Sequence, residues 1–187
     1  MTEDPIPLAV VIGSVREGRF GPVVAAWFAD RARRRPDVAV DVVDLLETGP
    51  DAGFAERIGA ADAVVIVTPE YNHSFPGPLK TALDATGGEW RDKPVGFVAY
   101  GGLSGGLRAV EHLRPVLAEL HAVGLRDTVS FHGAAGAFDT PGRPREESAD
   151  AAAAVTAVER LVTADKVNGI VGGMCSGETI ATLEKVG

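Results

Sequence analysis

The sequence predicts an α/β fold in which helices cover both faces of a five-stranded parallel sheet. Two observations carry this prediction. Five runs of strand length recur along the chain, and segments with helical spacing of apolar residues separate them. The chain also has 187 residues, of which 45% are hydrophobic and 24% charged, so it can bury a substantial core.

The first half of the chain predicts three strands and two helices. Residues 7–12 and 63–67 are unbroken apolar runs, which is typical of fully buried parallel strands. Residues 38–44 alternate more strongly, so this second strand is expected nearer an edge of the sheet. Helices are expected from residue 22 to about residue 35, where a proline follows, and over residues 54–60.

The second half repeats the alternation. Residues 78–84 predict a helix with proline in its first turn, and residues 94–100 predict the fourth strand. Apolar residues recur at helical spacing over 107–120, although Pro115 should kink or split this helix. Residues 125–131 predict the fifth strand.

The end of the chain departs from this pattern. Residues 146–163 predict a last helix, whereas residues 165–187 are rich in glycine and only weakly periodic. The latter segment is either an extension of poor order or a strand or arm that docks on a partner. We therefore expect one domain over residues 1–164 and a C-terminal extension over residues 165–187.

Composition excludes several function classes. The net charge of −8 argues against nucleic acid and anionic membranes as partners, and no apolar run approaches the ~20 residues that span a bilayer. The acidic start lacks the basic and apolar regions of a signal peptide. Cys175 stands alone and the four histidines lack metal-ligand spacing, so neither a disulfide framework nor a metal site is expected. These features predict a soluble cytoplasmic protein.

The first loop, residues 13–21, joins the first strand to the first helix. The amino end of a helix offers unpaired N–H groups and positive partial charge. A hydroxyl and two guanidinium groups add donors suited to phosphate oxygens. The candidate residues are Ser14, Arg16, Arg19, Phe20 and Gly21. The loop thus suits a monophosphate, unless it is an ordinary basic turn.

The second loop, residues 68–77, follows the third strand. Prolines stiffen it, its tyrosine can lie on a flat ring, and its amide can pair with a ring edge. The candidate residues are Pro69, Glu70, Tyr71 and Asn72. We expect Glu70 to contact a ring through its backbone, with a side chain that is solvated or faces a dimer partner. The alternative is a rigid turn with a surface tyrosine.

The third loop, residues 100–106, follows the fourth strand and contains four glycines. Glycines expose backbone N–H groups that can donate to the edge of a flat ring. The candidate residues are Gly101, Gly102, Ser104 and Gly105. A flexible connector is the alternative.

The three loops converge if the sheet is flavodoxin-like, with strand order 2-1-3-4-5. The carboxyl ends of its strands then form one crevice at the point where the strand order reverses. A phosphate would lie at the first loop and a flat ring between the second and third loops. FMN has this anatomy, namely one phosphate, a polar stem and a flat tricyclic ring.

The motifs also resemble those of the NADPH-dependent FMN reductase family, over about residues 6–160. The matching segments are Gly13-Ser14-Val15-Arg16, Pro69-Glu70-Tyr71-Asn72 with Pro76-Gly77-Pro78-Leu79-Lys80, and the run from Gly101 to Arg108. In the first loop, Arg19-Phe20-Gly21 replaces a serine or asparagine that is common in the family. The C-terminal extension is not explained by the resemblance.

This resemblance implies bound FMN, with NADPH or NADH as hydride donor and no catalytic side chain. The expected activity is ping-pong transfer to a quinone, free flavin, azo compound or similar small acceptor, by a homodimer or tetramer. Two alternatives stay open. The protein could supply reduced FMN to a separate monooxygenase, or it could be a non-enzymatic electron carrier like flavodoxin.

Overall fold

The computed structural model describes residues 5–139 and 142–145. The strands are β1 Ile6–Ile12, β2 Val38–Asp44, β3 Ala63–Pro69, β4 Pro94–Gly101 and β5 Val123–His132. The helices are α1 Gly21–Ala32, α2 Leu45–Thr48, α3 Ala52–Ala60, α4 Gly77–Asp84, α5 Leu107–Glu119 and α6 Ala134–Ala137, with a 3-10 turn at Gly88–Trp90. The predicted last helix and C-terminal extension lie outside the described residues.

All five strands are parallel, in the order β2-β1-β3-β4-β5. This confirms the predicted flavodoxin-like order, with the alternating strand β2 at an edge. The central strand β3 is buried at every position because helices cover it on both faces. Since β1 pairs with β3 and β3 with β4, the loops after these three strands leave the sheet side by side.

Two apolar layers enclose the sheet because alternate residues of each strand point to opposite faces. On one face, Val10 and Val65 lie in a cluster with Trp27 and Phe28 of α1. On the other face, residues of α3, α4 and α5 cover the sheet, with Ile66 at the centre of that layer. The core therefore fixes the carboxyl ends of β1, β3 and β4 from both sides.

The structure differs from the predicted elements in a few places. Helix α1 ends at Ala32, three residues earlier than expected. Pro115 does not split α5, because it is exposed and water can reach the carbonyl that lacks its N–H donor. Trp90, in the 3-10 turn, is fully buried, and its indole N–H donates to Thr86 Oγ1 at 2.8 Å.

Candidate cofactor-binding site

The first, second and third loops meet at the carboxyl edge of the sheet around one cleft of about 310 Å³. We call it the central cleft. Its lining residues are Arg16, Glu17, Gly18, Arg19, Phe20, Pro69, Glu70, Tyr71, Tyr100 and Gly101. The structure thus brings all three loops to one place, as the strand order predicts.

A buried hydroxyl pair joins the first loop to the second. Ser14 is fully buried, and its Oγ lies 2.8 Å from Oη of Tyr71. A side chain in place of Gly13 would bring a Cβ to 2.9 Å from Cδ2 of Leu79 on α4, so the first loop leaves β1 in close contact with that helix. The Ser14 hydroxyl is therefore engaged with the second loop.

Arg19 closes the first loop on the end of β2. Its Nη1 and Nη2 donate to Oδ1 and Oδ2 of Asp44 at 2.5 and 2.6 Å, and Nη1 also donates to the Ser14 carbonyl at 2.6 Å. The two charged side chains are only 11% and 10% exposed. The hydrogen bond to Asp44 raises the pKa of Arg19, so the guanidinium is held firmly in its charged form. In this structure, then, Arg19 binds the protein itself.

Arg16 offers its charge to the cleft. It is exposed, and its Cζ lies 5.7 Å from the centre of the Tyr71 ring. Its guanidinium forms no hydrogen bond or ion pair with the residues that the structure describes. The backbone N–H groups of Gly18 and Phe20 likewise have no acceptor within the described part of the chain. The first loop, whose residues 16–20 line the cleft, thus carries one cation and two unpaired N–H donors.

Tyr100 is an orphaned donor at the base of the central cleft. Its hydroxyl is buried, and no atom of the described residues hydrogen bonds to it. Burial raises the pKa of Tyr100 well above its usual range, so this hydroxyl stays neutral and can donate. A Cβ on Gly21 would lie 3.0 Å from the hydroxyl oxygen, which places that oxygen beside the first turn of α1.

The third loop owes its shape to glycine. Gly106 has φ +87°, and a Cβ there would lie 2.7 Å from the backbone nitrogen of Tyr100. In contrast, a Cβ on Gly102 would meet no atom within 4 Å. Ser130 and His132 of β5 support the loop from behind by donating to the carbonyls of Gly105 and Leu103 at 3.0 and 2.9 Å. The backbone of the third loop is thus held by hydrogen bonds from β5, and the space beside Gly102 is open.

The Glu70 side chain is not solvated, so that part of the sequence-based expectation is wrong, whereas the alternative that it faces a dimer partner stays a prediction. That side chain is only 10% exposed. One carboxylate oxygen accepts from Ser104 Oγ and, at 3.3 Å, from the Arg108 N–H, while the other lies 3.2 Å from Arg108 Nη1. Burial raises the pKa of Glu70, but the hydrogen bonds from Ser104 and Arg108 outweigh it, so the pKa lies below its ordinary value.

Asn72 lies apart from these contacts. It is exposed with φ +48°, in a tight turn in which Tyr71 and Ser74 exchange backbone hydrogen bonds of 2.8 and 3.1 Å. This geometry keeps its amide at the surface of the second loop.

Several residues that shape the cleft were not predicted as site residues, although Arg108 ends a segment that matches the family motif. Asp44 and Arg108 matter only through their partners on other loops, and Tyr100 reads as the last residue of a buried strand. The position of Tyr100 next to the glycine run is the one cue that could have marked it.

Within residues 5–139 and 142–145, no group of three or more His, Cys, Asp or Glu side chains could hold a metal ion. No helix in the same part of the chain is long and apolar enough to cross a bilayer.

Comparison with known proteins agrees with this geometry. The model of the NADPH-dependent FMN reductase family matches residues 6–136. An NAD(P)H-dependent FMN reductase of Schizosaccharomyces pombe is 34% identical over 53% of this chain, but the match spans only 60% of that relative. A 2-hydroxy-1,4-benzoquinone reductase of Burkholderia sp is 36% identical over 63% of this chain and 73% of the relative. Among solved structures, the apo form of an NADH:FMN oxidoreductase superposes with a TM-score of 0.71 at 18% identity, covering 85% of this chain and 89% of the other.

Proposed function

The chain belongs to the NADPH-dependent FMN reductase family, and on that premise we propose that it is an FMN-dependent oxidoreductase whose flavin lies in the central cleft. The observation that carries this proposal is the meeting of all three loops around that single cleft. One end of the cleft is cationic and rich in N–H donors, whereas the other is bordered by glycine backbone. A phosphate at one end and a flat ring at the other match these two chemistries.

The phosphate end is the part of the cleft beside the first turn of α1. Arg16 supplies a charge that has no hydrogen-bond or ion-pair partner among the described residues, and the unpaired N–H groups of the first loop supply further donors. The orphaned Tyr100 hydroxyl fits the same role, because a buried donor without a partner is costly unless a ligand satisfies it. Arg19 acts indirectly here, by holding the loop against Asp44.

The ring end is the space between the second and third loops. Pro69 and Tyr71 line one side of it, and Gly101 lines the other. The open space at Gly102 lets a ring edge approach the backbone, where N–H groups can stabilise negative charge. The ring thus needs little from side chains, as expected when the cofactor carries the chemistry.

Bound FMN would supply hydride chemistry, taking a hydride from NADPH or NADH and giving it to a quinone, free flavin, azo compound or similar acceptor in a ping-pong sequence. The chain's own part is to bind and orient the flavin and leave one face open. No acid or base is assigned to Glu70 or Tyr100, because Glu70 is ion-paired and Tyr100 is buried.

We also propose that the protein works as a homodimer or tetramer in the cytoplasm. Leu103 and Leu107, on the third loop and at the start of α5, are 90% and 45% exposed. Exposed apolar groups beside a ligand cleft favour cover by a second copy, since a self-complementary surface is the commonest way to close a homo-oligomer. Light scattering that finds a fully active monomer at micromolar concentration would contradict this.

The decisive experiment is the absorption spectrum of the purified protein, with its FMN content measured before and after gel filtration. We expect about one FMN per chain. Double-reciprocal plots of initial rate against NADPH concentration, at several fixed quinone concentrations, should give parallel lines, as a ping-pong sequence requires. FAD at one equivalent would contradict the proposed cofactor. Bound FMN that NADPH reduces only as slowly as it reduces free FMN would instead favour an electron carrier.

A further inference from the structure

We propose that Glu70 is a positioning residue, whose carboxylate clamps the second loop to the third and so holds the glycine backbone against the flavin ring. This inference rests on the proposed function. The carboxylate accepts from the Ser104 hydroxyl of the third loop and contacts the backbone N–H and the guanidinium of Arg108, in the first turn of α5 directly after that loop. A backbone bond from the Glu70 N–H to the Tyr100 carbonyl, 3.2 Å long, anchors the base of the same contact.

The clamp differs from an ordinary surface ion pair in the burial of its carboxylate, although Arg108 is 41% exposed, and in what it joins. The Glu70 side chain is 10% exposed and lies on the wall of the cleft itself. The Lys80–Asp84 pair on α4, by comparison, is 43% and 60% exposed and joins two residues of one helix. A contact that joins two ligand-binding loops acts on the ligand site, whereas one that joins two turns of a helix acts on the helix alone.

The clamp also decides what Ser104 can offer a ligand. Its hydroxyl hydrogen is donated to Glu70, so towards the ring Ser104 can donate only through its backbone N–H, while Oγ can still accept. Ser104 therefore serves the site mainly as the point where the third loop is fastened. Moreover, a carboxylate that stays ionised beside the cleft disfavours further negative charge there. Glu70 should thus make the reduced, more negative flavin harder to form.

The test compares Glu70→Gln with Ser104→Ala, which breaks a clamp contact but keeps the charge. The matched control is Glu56→Gln on the exposed side of α3, far from the cleft. Three quantities are measured: amide hydrogen exchange of residues 100–106 in the apo protein, dissociation constants for FMN and riboflavin, and the reduction potential of bound FMN.

We expect exchange in the third loop to quicken at least tenfold in both clamp variants. The dissociation constants for FMN and riboflavin should both rise by about tenfold, because the loop holds the ring that both ligands contain. Only Glu70→Gln should move the potential to more positive values. A general loss of stability would produce no such difference between the two clamp variants.

Unchanged loop exchange and unchanged riboflavin affinity in both clamp variants would overturn the clamp. An unshifted potential in Glu70→Gln would remove the electrostatic part of the inference. If the wild-type protein binds no flavin, the proposed function fails. Loop exchange in the apo protein would then still report whether Glu70 fastens the third loop.

Discussion

The first and third loops border the same cleft, but different interactions hold them in shape. The first loop depends on the Arg19–Asp44 ion pair, in which both side chains are about nine-tenths buried. The third loop depends on glycines whose backbone angles and neighbours exclude a side chain, and on Glu70, whose partner Arg108 is 41% exposed. The phosphate end should therefore lose its shape when a charge of the ion pair is removed. The ring end should lose its shape when a methyl group is added to a glycine that has no room for it.

The largest effect is expected at the first loop, from Asp44→Asn. This change leaves the buried Arg19 guanidinium without its charged partner, which typically costs about 3–5 kcal/mol of unfolding free energy. Denaturant unfolding of the apo protein measures it. Asp30→Asn is the matched control, because its pair with Arg34 is 65% and 71% exposed and should contribute under about 1 kcal/mol.

A double variant separates charge from packing at this site. Replacing both partners, as in Arg19→Met with Asp44→Leu, removes the uncompensated charge and should recover much of the lost stability. A double variant no more stable than Asp44→Asn would mean that Arg19 holds the loop through its bond to the Ser14 carbonyl instead.

The next effect is expected at the third loop, from Gly106→Ala. The left-handed backbone costs about 1–2 kcal/mol for alanine, and a Cβ 2.7 Å from the Tyr100 nitrogen adds an overpacking cost of about 1–3 kcal/mol. Gly102→Ala has no such neighbour and should keep the stability of the wild type. Equal melting temperatures for the two variants would contradict a glycine-determined shape.

These two sites also show where sequence reasoning stops. The strands could be predicted from apolar runs, and the convergence of the three loops followed because a parallel sheet aligns the carboxyl ends of its strands. The strand order itself was expected only from the flavodoxin-like arrangement. The glycine-rich third loop could also be recognised in the sequence, because it directly follows the fourth predicted strand. The sequence could not predict which of these positions require glycine. That requirement depends on neighbours such as Tyr100, which only the folded chain brings close.

The two arginines of the first loop illustrate the same limit. A guanidinium suits a phosphate and a carboxylate equally well, so the sequence predicted both Arg16 and Arg19 as phosphate ligands. Asp44 lies 25 residues further along the chain, and only the pairing of β1 with β2 brings it to Arg19. Whether Arg19 also meets the phosphate stays a prediction.

Arg16→Ala is expected to act on ligand binding alone. Because the side chain is exposed and contacts the described residues only at the Tyr71 ring, without a hydrogen bond or ion pair, the fold should keep its stability. Loss of a charge-assisted phosphate contact should weaken FMN binding by about 1.5–3 kcal/mol. Riboflavin, which lacks the phosphate, should bind as before, and Arg33→Ala at the exposed end of α1 serves as control. An unchanged dissociation constant for FMN would put the phosphate elsewhere.

The smallest effect concerns the charge of Glu70 in the apo protein. Its pKa is lowered in the folded state, so the carboxylate contributes stability above its unfolded pKa of about 4.3. That contribution is lost as the pH falls through the lower, folded value. Unfolding free energies of wild type and Glu70→Gln should therefore differ most near pH 7 and converge towards pH 3.

Because Arg108 is 41% exposed, solvent screens its ion pair with Glu70, and the difference should stay well below that for Asp44→Asn. Equal unfolding free energies of the two proteins over this pH range would mean that Glu70 fastens the third loop through hydrogen bonds that Gln can also form. The charge of Glu70 would then contribute nothing to the shape of the ring end.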